Sequence, residues 1–121
     1  MTQETAAGSA PVPRVVFYRT LTGHEPVREW LRERDPADRR AIGEDIKTAQ
    51  YGWPLGMPLI RKLEPGLWEV RSHIGDGTAR VLFSVSGGVM VLLHGLVKKS
   101  RKIDAGDLAI VRRRLANLTE G

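Results

Sequence analysis

Charged side chains recur along a stretch whose apolar pattern is typical of β-strands. The residues are Glu69, Arg71, His73, Arg80, Lys98 and Lys99. Strands of a small sheet place apolar and polar side chains on opposite faces, and a purely structural sheet needs no such concentration of titratable groups. Proton carriers beside fixed positive charge are what cleavage or binding of a phosphodiester requires. RNA is therefore the first partner to consider.

Length and composition limit the classes of protein that the sequence can encode. The chain has 121 residues, 41% of them hydrophobic and 27% charged, which suits one globular domain. It has no cysteine, so disulfides, thiolate catalysis and cysteine-based metal sites are excluded. His24, His73 and His94 have no ligand-like spacing, and we expect neither a metal nor another cofactor. No run of about 18 apolar residues occurs, so we expect a cytoplasmic protein without a membrane segment.

The order of elements predicts an α+β domain. Residues 1–13 are rich in small residues and proline and are predicted to be a flexible leader, which leaves residues 14–121 as a single domain. Periodicity predicts the order β-α-α-β-β-β-α, with two N-terminal helices on one face of a small antiparallel sheet. Leu59 to Leu63 is at most a short edge segment. The predicted elements are strands from Arg14 to Tyr18, Leu67 to Ile74, Thr78 to Val85 and Val89 to His94, and helices from Pro26, from Pro36 to Tyr51 and from Asp104 to Leu118.

The first turn of the three-stranded meander fixes which side chains meet. Asp76-Gly77 is a strong signal for a two-residue hairpin turn. A turn there predicts two facing pairs, His73 with Arg80 and Glu69 with Ser84. The charged set then shares one face of the sheet.

The opposite face of these strands has enough apolar area to lie under the helices. Its residues are Trp68, Val70, Val81, Phe83 and Val85. We therefore expect the charged set on the less covered face. His94 can lie on either face, because a change of one residue in the Gly87-Gly88 turn reverses its side. The structural alternative is a solvated sheet face with weak cross-strand Glu–Arg pairs.

The basic residues are concentrated at the C-terminal end. From Leu96 onward the chain has seven Lys or Arg residues against three acidic residues, out of a net charge of +5. Such a bias suits a polyanionic partner. The residues that we expect to bind RNA are His73, Arg101, Lys102, Arg112 and Arg113. The apolar stripe of the last helix, with Leu108, Val111, Leu115 and Leu118, is expected to face the core.

Three stretches together resemble the toxins of the RelE/HigB type. They are Gly-Leu-Trp-Glu-Val-Arg from Gly66, Arg-Val-Leu-Phe from Arg80, and His-Gly-Leu-Val-Lys-Lys from His94. The resemblance runs from about Val15 to Leu118, and it is to the phage-derived HigB-like branch of the RelE/ParE superfamily. It implies a RelE-like fold and the toxin of a type II toxin–antitoxin module. Its partners would be a helix-turn-helix antitoxin, messenger RNA and the ribosomal A site, with operator DNA reached only through the antitoxin.

The resemblance also implies a reaction and roles for residues. Many such toxins cleave messenger RNA without metal, by attack of a ribose 2′-hydroxyl on the adjacent phosphate. The implied catalytic set is Glu69, Arg71, Arg80, His94, Lys98 and Lys99. The two arginines would hold the scissile phosphate. Glu69 stands where the best-studied relatives have a lysine, so Glu69 or a histidine would serve as the general base. The alternative is a ParE-like gyrase inhibitor, or a non-catalytic co-repressor on the same scaffold.

Overall fold

The computed structural model describes residues 11–54, 59–75, 77–98 and 102–120, excluding the side chains of residues 119 and 120. These ranges contain five strands and three helices, which confirms the α+β class. The strands are β1 (Arg14–Phe17), β2 (Ile60–Glu64), β3 (Leu67–Ile74), β4 (Gly77–Ser86) and β5 (Val89–Lys98). The helices are α1 (Pro26–Arg32), α2 (Pro36–Gly52) and α3 (Ala105–Glu120). The edge segment expected near Leu59 to Leu63 is the strand β2, so the order has one strand more than predicted.

The five strands form one sheet in the order β1-β5-β4-β3-β2. Neighbours are antiparallel from β2 to β5, but β1 pairs with β5 in parallel. The prediction of a purely antiparallel sheet is therefore wrong at this edge. The chain passes through α1, α2 and three strands between β1 and β5, which gives it the long crossover that a parallel pair requires.

The two N-terminal helices begin and pack as the sequence predicts. A proline occupies the first turn of each helix, where its missing N–H costs no hydrogen bond. The apolar stripe of α2, with Ile42, Ile46 and Ala49, is buried against the sheet. We call the covered side the α1–α2 face. The residues predicted to lie there do so, and they are Trp68, Val70, Val81, Phe83 and Val85.

The register between β3 and β4 differs from the predicted one. Arg71 pairs with Arg80 and Glu69 with Leu82, while His73 pairs with Thr78. Ile74 pairs with Gly77, so Gly77 belongs to β4 and not to the predicted two-residue turn. Asp76 itself lies outside the described residues. In both registers an odd-numbered residue of β3 pairs with an even-numbered residue of β4. Glu69, Arg71, His73 and Arg80 therefore lie on one face in either case.

Packing on the α1–α2 face explains the choice of register. Trp68 pairs with Phe83, and their rings stack with centroids 6.3 Å apart. Trp53 packs edge-on against both rings, at 5.0 Å and 5.7 Å between centroids. Aromatic clusters of this kind contribute beyond the area that they bury. The aromatic cluster therefore outweighs the local turn signal.

The second face of the sheet is not left open, because α3 packs on it. We call it the α3 face. A second core lies there and contains Tyr18, Leu67, Leu82, Leu93, Leu96, Ile103 and Val111. The prediction that the charged set lies on a little-covered face is therefore wrong for the residues nearest this core. Leu118, predicted to face inward, is exposed at the end of α3.

Residues before β1 also contribute to the fold. Pro13 is buried, and its carbonyl oxygen accepts a hydrogen bond of 2.9 Å from the amide of Gln50. The prediction of a flexible leader otherwise concerns residues 1–10, which lie outside the described ranges. Within the described ranges, the structure contains no helix with the length and apolar character needed to cross a membrane.

Gly95 in β5 allows α1 to approach the sheet closely. A Cβ atom at this position would lie 2.4 Å from the Trp30 ring. Atoms of a packed ring cannot move aside cheaply, so the position accepts only glycine. The glycine of the His-Gly stretch thus has a packing role beside whatever role His94 has.

We predict that Gly95→Ala lowers the free energy of unfolding by about 1–3 kcal/mol, because the added methyl group overpacks the Trp30 contact. Gly43→Ala is the matched control, since an added Cβ in α2 meets nothing within 4 Å. It should raise the free energy of unfolding by about 0.5–1 kcal/mol, as alanine is the better helix former. Urea denaturation of the two variants measures both. Equal effects of the same sign would contradict the packing account.

Candidate functional site

Polar side chains form three short rows across the α3 face. His73, Thr78 and Lys98 are register partners at one end of the strands. Arg71 and Arg80 pair in the next row, and Arg61 and Glu69 pair in the third. Neighbouring strands are about 4.8 Å apart, so these side chains are in reach of one another. We call the set of Arg61, Glu69, Arg71, His73, Arg80 and Lys98 the polar strip.

Glu69 is the buried centre of the polar strip. Its side chain is 0% exposed, and its Oε2 lies 3.0 Å from Nε of Arg61. Its Oε1 lies 3.9 Å from Nε of Arg80, whose side chain is 2% exposed. Neither residue projects from an open face, so that prediction is wrong for both. The reason is the second core beneath α3, which surrounds this row of the sheet.

The electrostatics of Arg80 reflect this crowding. Burial is the largest influence and lowers the pKa of Arg80, while the charge of Glu69 raises it. The charges of Arg71 and Arg61 lower the pKa further. The Glu69 carboxylate thus lies near the guanidinium groups of Arg61 and Arg80, and the charge of Arg71 acts on Arg80 as well, so positive charge is in excess here. Such a site favours an added anion.

The exposed end of the polar strip is formed by other residues. Arg71 is half-buried and His73 is exposed. Together with Asp45 of α2 and Leu59 they line a groove of about 260 Å³. Arg71 and His73 are therefore two members of the predicted set that line the same groove and are accessible to a ligand.

His94 lies on the α3 face, which answers the question that the sequence left open. A bulge in β5 pairs Leu82 with His94 and Phe83 with Leu92, so Leu93 has no partner opposite. Nε2 of His94 lies 2.8 Å from a carboxylate oxygen of Asp107, and Nδ1 lies 3.4 Å from Arg114. The side chain is 15% exposed. His94 thus links β5 to α3.

The basic C-terminal residues divide into engaged and exposed groups. Lys98 forms an ion pair with Asp104. Arg112 binds both carboxylate oxygens of Glu64 at 3.0 Å and 2.8 Å, so it ties α3 to β2. Lys102 and Arg113 are exposed. Lys99 and Arg101 lie outside the described residues, and their roles stay predictions.

Arg114 packs inward, although the helix pattern suggests a fully polar side. Its Nη1 donates a 2.7 Å hydrogen bond to the carbonyl oxygen of Leu93. Its guanidinium lies over the Tyr18 ring, 5.7 Å from the centroid. Burial lowers the pKa of Arg114, with Tyr18 acting in the opposite direction. Arg114 thus ties α3 to β5 and to Tyr18.

The sequence prediction missed Arg61, which belongs to the polar strip. The local signal was weak, because Arg61 is followed by Lys62 in the edge segment and no alternation marks its face. Only the pairing of β2 with β3 places it opposite Glu69. Asp107 was missed for a similar reason, since its partner His94 lies on another element.

The sequence profile of the family described as "Phage derived protein Gp49-like (DUF891)" matches residues 29–116. The match covers α1 through most of α3, and the chain belongs to this phage-derived, toxin-like family. No curated protein sequence matches the chain. The expected phage-derived, toxin-like class is thus confirmed, and the closer relation to RelE/HigB toxins stays a prediction.

We predict that Glu69→Gln lowers the free energy of unfolding by about 3–5 kcal/mol, because it leaves the buried Arg80 without its compensating charge. Glu44→Gln, an exposed change of the same type in α2, is the control and should be within about 0.5 kcal/mol of the wild type. Chemical denaturation at neutral pH gives both values. A small effect of Glu69→Gln would show that the buried carboxylate does not hold the arginines.

The Arg112–Glu64 pair makes a specific prediction for acid stability. Its hydrogen bonds lower the pKa of Glu64 in the folded chain. A lowered folded-state pKa adds stability that is complete well above about pH 4.3, the usual value for glutamate, and that disappears as the pH falls through the folded-state pKa.

Glu64→Gln should therefore be less stable than the wild type at pH 7, and the difference should shrink toward pH 3. Urea denaturation across this range measures it, with Glu44→Gln again as control. A difference that grows on acidification would refute the pairing as the cause.

Proposed function

We propose that this protein is the toxin of a toxin–antitoxin module and that it cleaves messenger RNA at the ribosome without a metal. The observation that carries the proposal is the polar strip, in which a buried carboxylate lies near two guanidinium groups and the charge of a third, Arg71, acts on Arg80, in a chain of a toxin-like family. Structural ion pairs need only one cation for each carboxylate. The additional cations suit a phosphodiester, whose charge rises in the transition state.

In the proposed reaction a ribose 2′-hydroxyl attacks the adjacent phosphorus, and the bond to the 5′ oxygen of the next nucleotide breaks. The products are a 2′,3′-cyclic phosphate and a free 5′-hydroxyl. A base must take the proton from the 2′-hydroxyl, and an acid must give one to the leaving oxygen. Arg71 and Lys98 would hold the phosphate at the exposed end of the polar strip.

The burial of Glu69 changes its proposed role. A side chain with no exposed surface does not reach a ribose hydroxyl, so we assign Glu69 to the positioning of Arg61 and Arg80. His73 lines the same groove as Arg71 and is exposed, and we propose it as the proton carrier. His94 is held by Asp107 and would act through the placement of α3.

One observation favours the alternative of a non-catalytic or gyrase-inhibiting protein. Glu69, Arg80 and His94 are largely buried and have partners within the fold. Half of the predicted catalytic set thus stabilises the fold. A non-catalytic binding protein on the same scaffold would be expected to use these residues in the same way.

A toxin of this kind needs a neutralising partner, and we propose a cognate antitoxin for this chain. Its helix-turn-helix character and its operator are expectations of the RelE/HigB resemblance. The exposed Arg113 on α3 is a basic surface residue suited to an acidic partner or to ribosomal RNA.

Induced expression in a bacterium should arrest growth, and mapping of RNA ends in a reconstituted translation system should show cleavage of ribosome-bound messenger RNA. Arg71→Ala should lower the cleavage rate by about 10²-fold or more, since it removes a phosphate ligand of the transition state. His73→Ala should lower it by about 10²–10⁴-fold. Arg40→Ala, an exposed arginine on α2, is the control and should cleave normally.

Two results would overturn the assignment. Growth arrest with intact messenger RNA and inhibited gyrase supercoiling would establish the alternative. Absence of both arrest and cleavage, with the protein folded by circular dichroism, would remove the toxin proposal itself.

A further inference from the structure

A second groove lies on the other side of α3 from the polar strip. It has a volume of about 380 Å³ and is lined by the loop after β1 and by outward residues of α3. The apolar part consists of Tyr18, Leu21 and Ile110. We call it the β1–α3 groove. Neither the proposed reaction nor the family match gives it a use.

Leu21 is fully exposed at the rim of this groove, in a loop that is held by hydrogen bonds. The backbone N–H of Thr20 donates to the carbonyl oxygen of His24 at 2.8 Å. The N–H of Gly23 donates to Thr20 at 3.0 Å, and Gly23 has a φ of +92°, which only glycine adopts freely. The N–H of His24 also donates to the Thr20 hydroxyl at 3.0 Å.

A fixed loop that presents a leucine to water is prepared for binding. The loop has already lost its conformational entropy, so a partner that covers Leu21 gains apolar burial at little ordering cost. Interface hot spots are enriched in tyrosine and arginine, and both residue types line this groove beside the leucine. A single exposed leucine is ordinary, but here it borders an apolar groove.

The charge of the groove specifies the partner. Arg113 and Arg114 line it, and none of the described lining residues is acidic. Arg114 is engaged with the Leu93 carbonyl oxygen and Tyr18, whereas Arg113 is exposed on the outer surface of α3. An apolar groove with a cationic rim complements a segment that carries apolar residues and carboxylates on neighbouring positions.

We propose that the β1–α3 groove binds an acidic amphipathic helix of a partner protein. An apolar side chain of that helix would lie against Leu21 and Ile110, and its carboxylates would lie at Arg113. The proposal deepens the proposed function, because it places the contact of the neutralising partner. This mode of binding differs from that of a partner that covers the polar strip directly.

The position of α3 separates the two sites. Arg112 and Leu108 lie on the side of α3 that faces β2. Arg112 donates a hydrogen bond to Glu64, and Leu108 lines a cleft together with Arg61. Ile110, Arg113 and Asn117 face β1, where the Asn117 amide donates to the Tyr18 hydroxyl at 2.9 Å. A helix in the β1–α3 groove therefore leaves the polar strip uncovered. Its effect would be exclusion of the protein from the ribosome.

The test is selection of displayed helical peptides against the whole protein, followed by affinity measurement of the enriched peptides. We expect acidic amphipathic sequences, whose dissociation constants rise about tenfold or more with Leu21→Ser or with Arg113→Glu. Leu118→Ser and Arg40→Glu, exposed positions outside the groove, are the matched controls and should bind as the wild type does. A labelled single-stranded RNA should bind equally well with the peptide present.

The other occupants are distinguished by the same variants. No enrichment of peptides, or enrichment of basic peptides, would overturn the proposal. Self-association of the free protein that Leu21→Ser abolishes would show that a second copy fills the groove. RNA binding that depends on Arg113 but not on Leu21 would assign the surface to nucleic acid. None of these results depends on RNA cleavage. A failure of this proposal can therefore be told apart from a failure of the proposed function.

Discussion

The structure depends on one buried carboxylate. Glu69 has no exposed surface and lies between guanidinium groups that come from β2 and β4. Removing charges from water is costly, and the cost is recovered only when opposite charges are held in place. The pairing therefore fixes three strands relative to one another. It also keeps a surplus of positive charge at a set position, which favours the binding of an anion.

This constraint explains why α3 covers the sheet only in part. The helix buries the apolar rows of Leu82, Leu93 and Leu96, and it is tied at both sides by Arg112 and Arg114. Arg71 and His73, which lie in two neighbouring rows of the polar strip, line a groove together with Asp45 of α2 and border solvent. A single helix thus divides the α3 face into a buried part that stabilises the fold and a solvent-exposed part that can bind a ligand.

Most of the fold could be predicted from local patterns. The proline starts of α1 and α2, the stripe of Ile42 and Ile46, and the aromatic face of β3 and β4 depend on periodicity and turn chemistry, which a sequence carries directly. The register does not, because Gly75-Asp76-Gly77 contains two overlapping turn signals. Only the packing of Trp68 on Phe83 selects between them.

The candidate site was predictable in its residues but less so in its geometry. Alternation placed Glu69, Arg71 and His73 on one face, and this is what the structure contains. Burial of Glu69 depends on where α3 docks, and the partner Arg61 depends on strand pairing across separate segments. Such contacts join elements distant in the chain, and no local pattern records them.

The central claim is that Arg71, at the exposed end of the polar strip, meets RNA phosphate while Glu69 holds the buried arginines. Nitrogen-15 NMR of arginine side chains tests it directly, with titration of a short RNA whose cleavable ribose is 2′-deoxy. The account predicts that the Arg71 Nε signal shifts as the RNA binds and reaches a plateau when the protein is saturated. The signal of the control Arg40 should not shift at any concentration, including saturation. Equal, non-saturating shifts at Arg71 and Arg40 would contradict it.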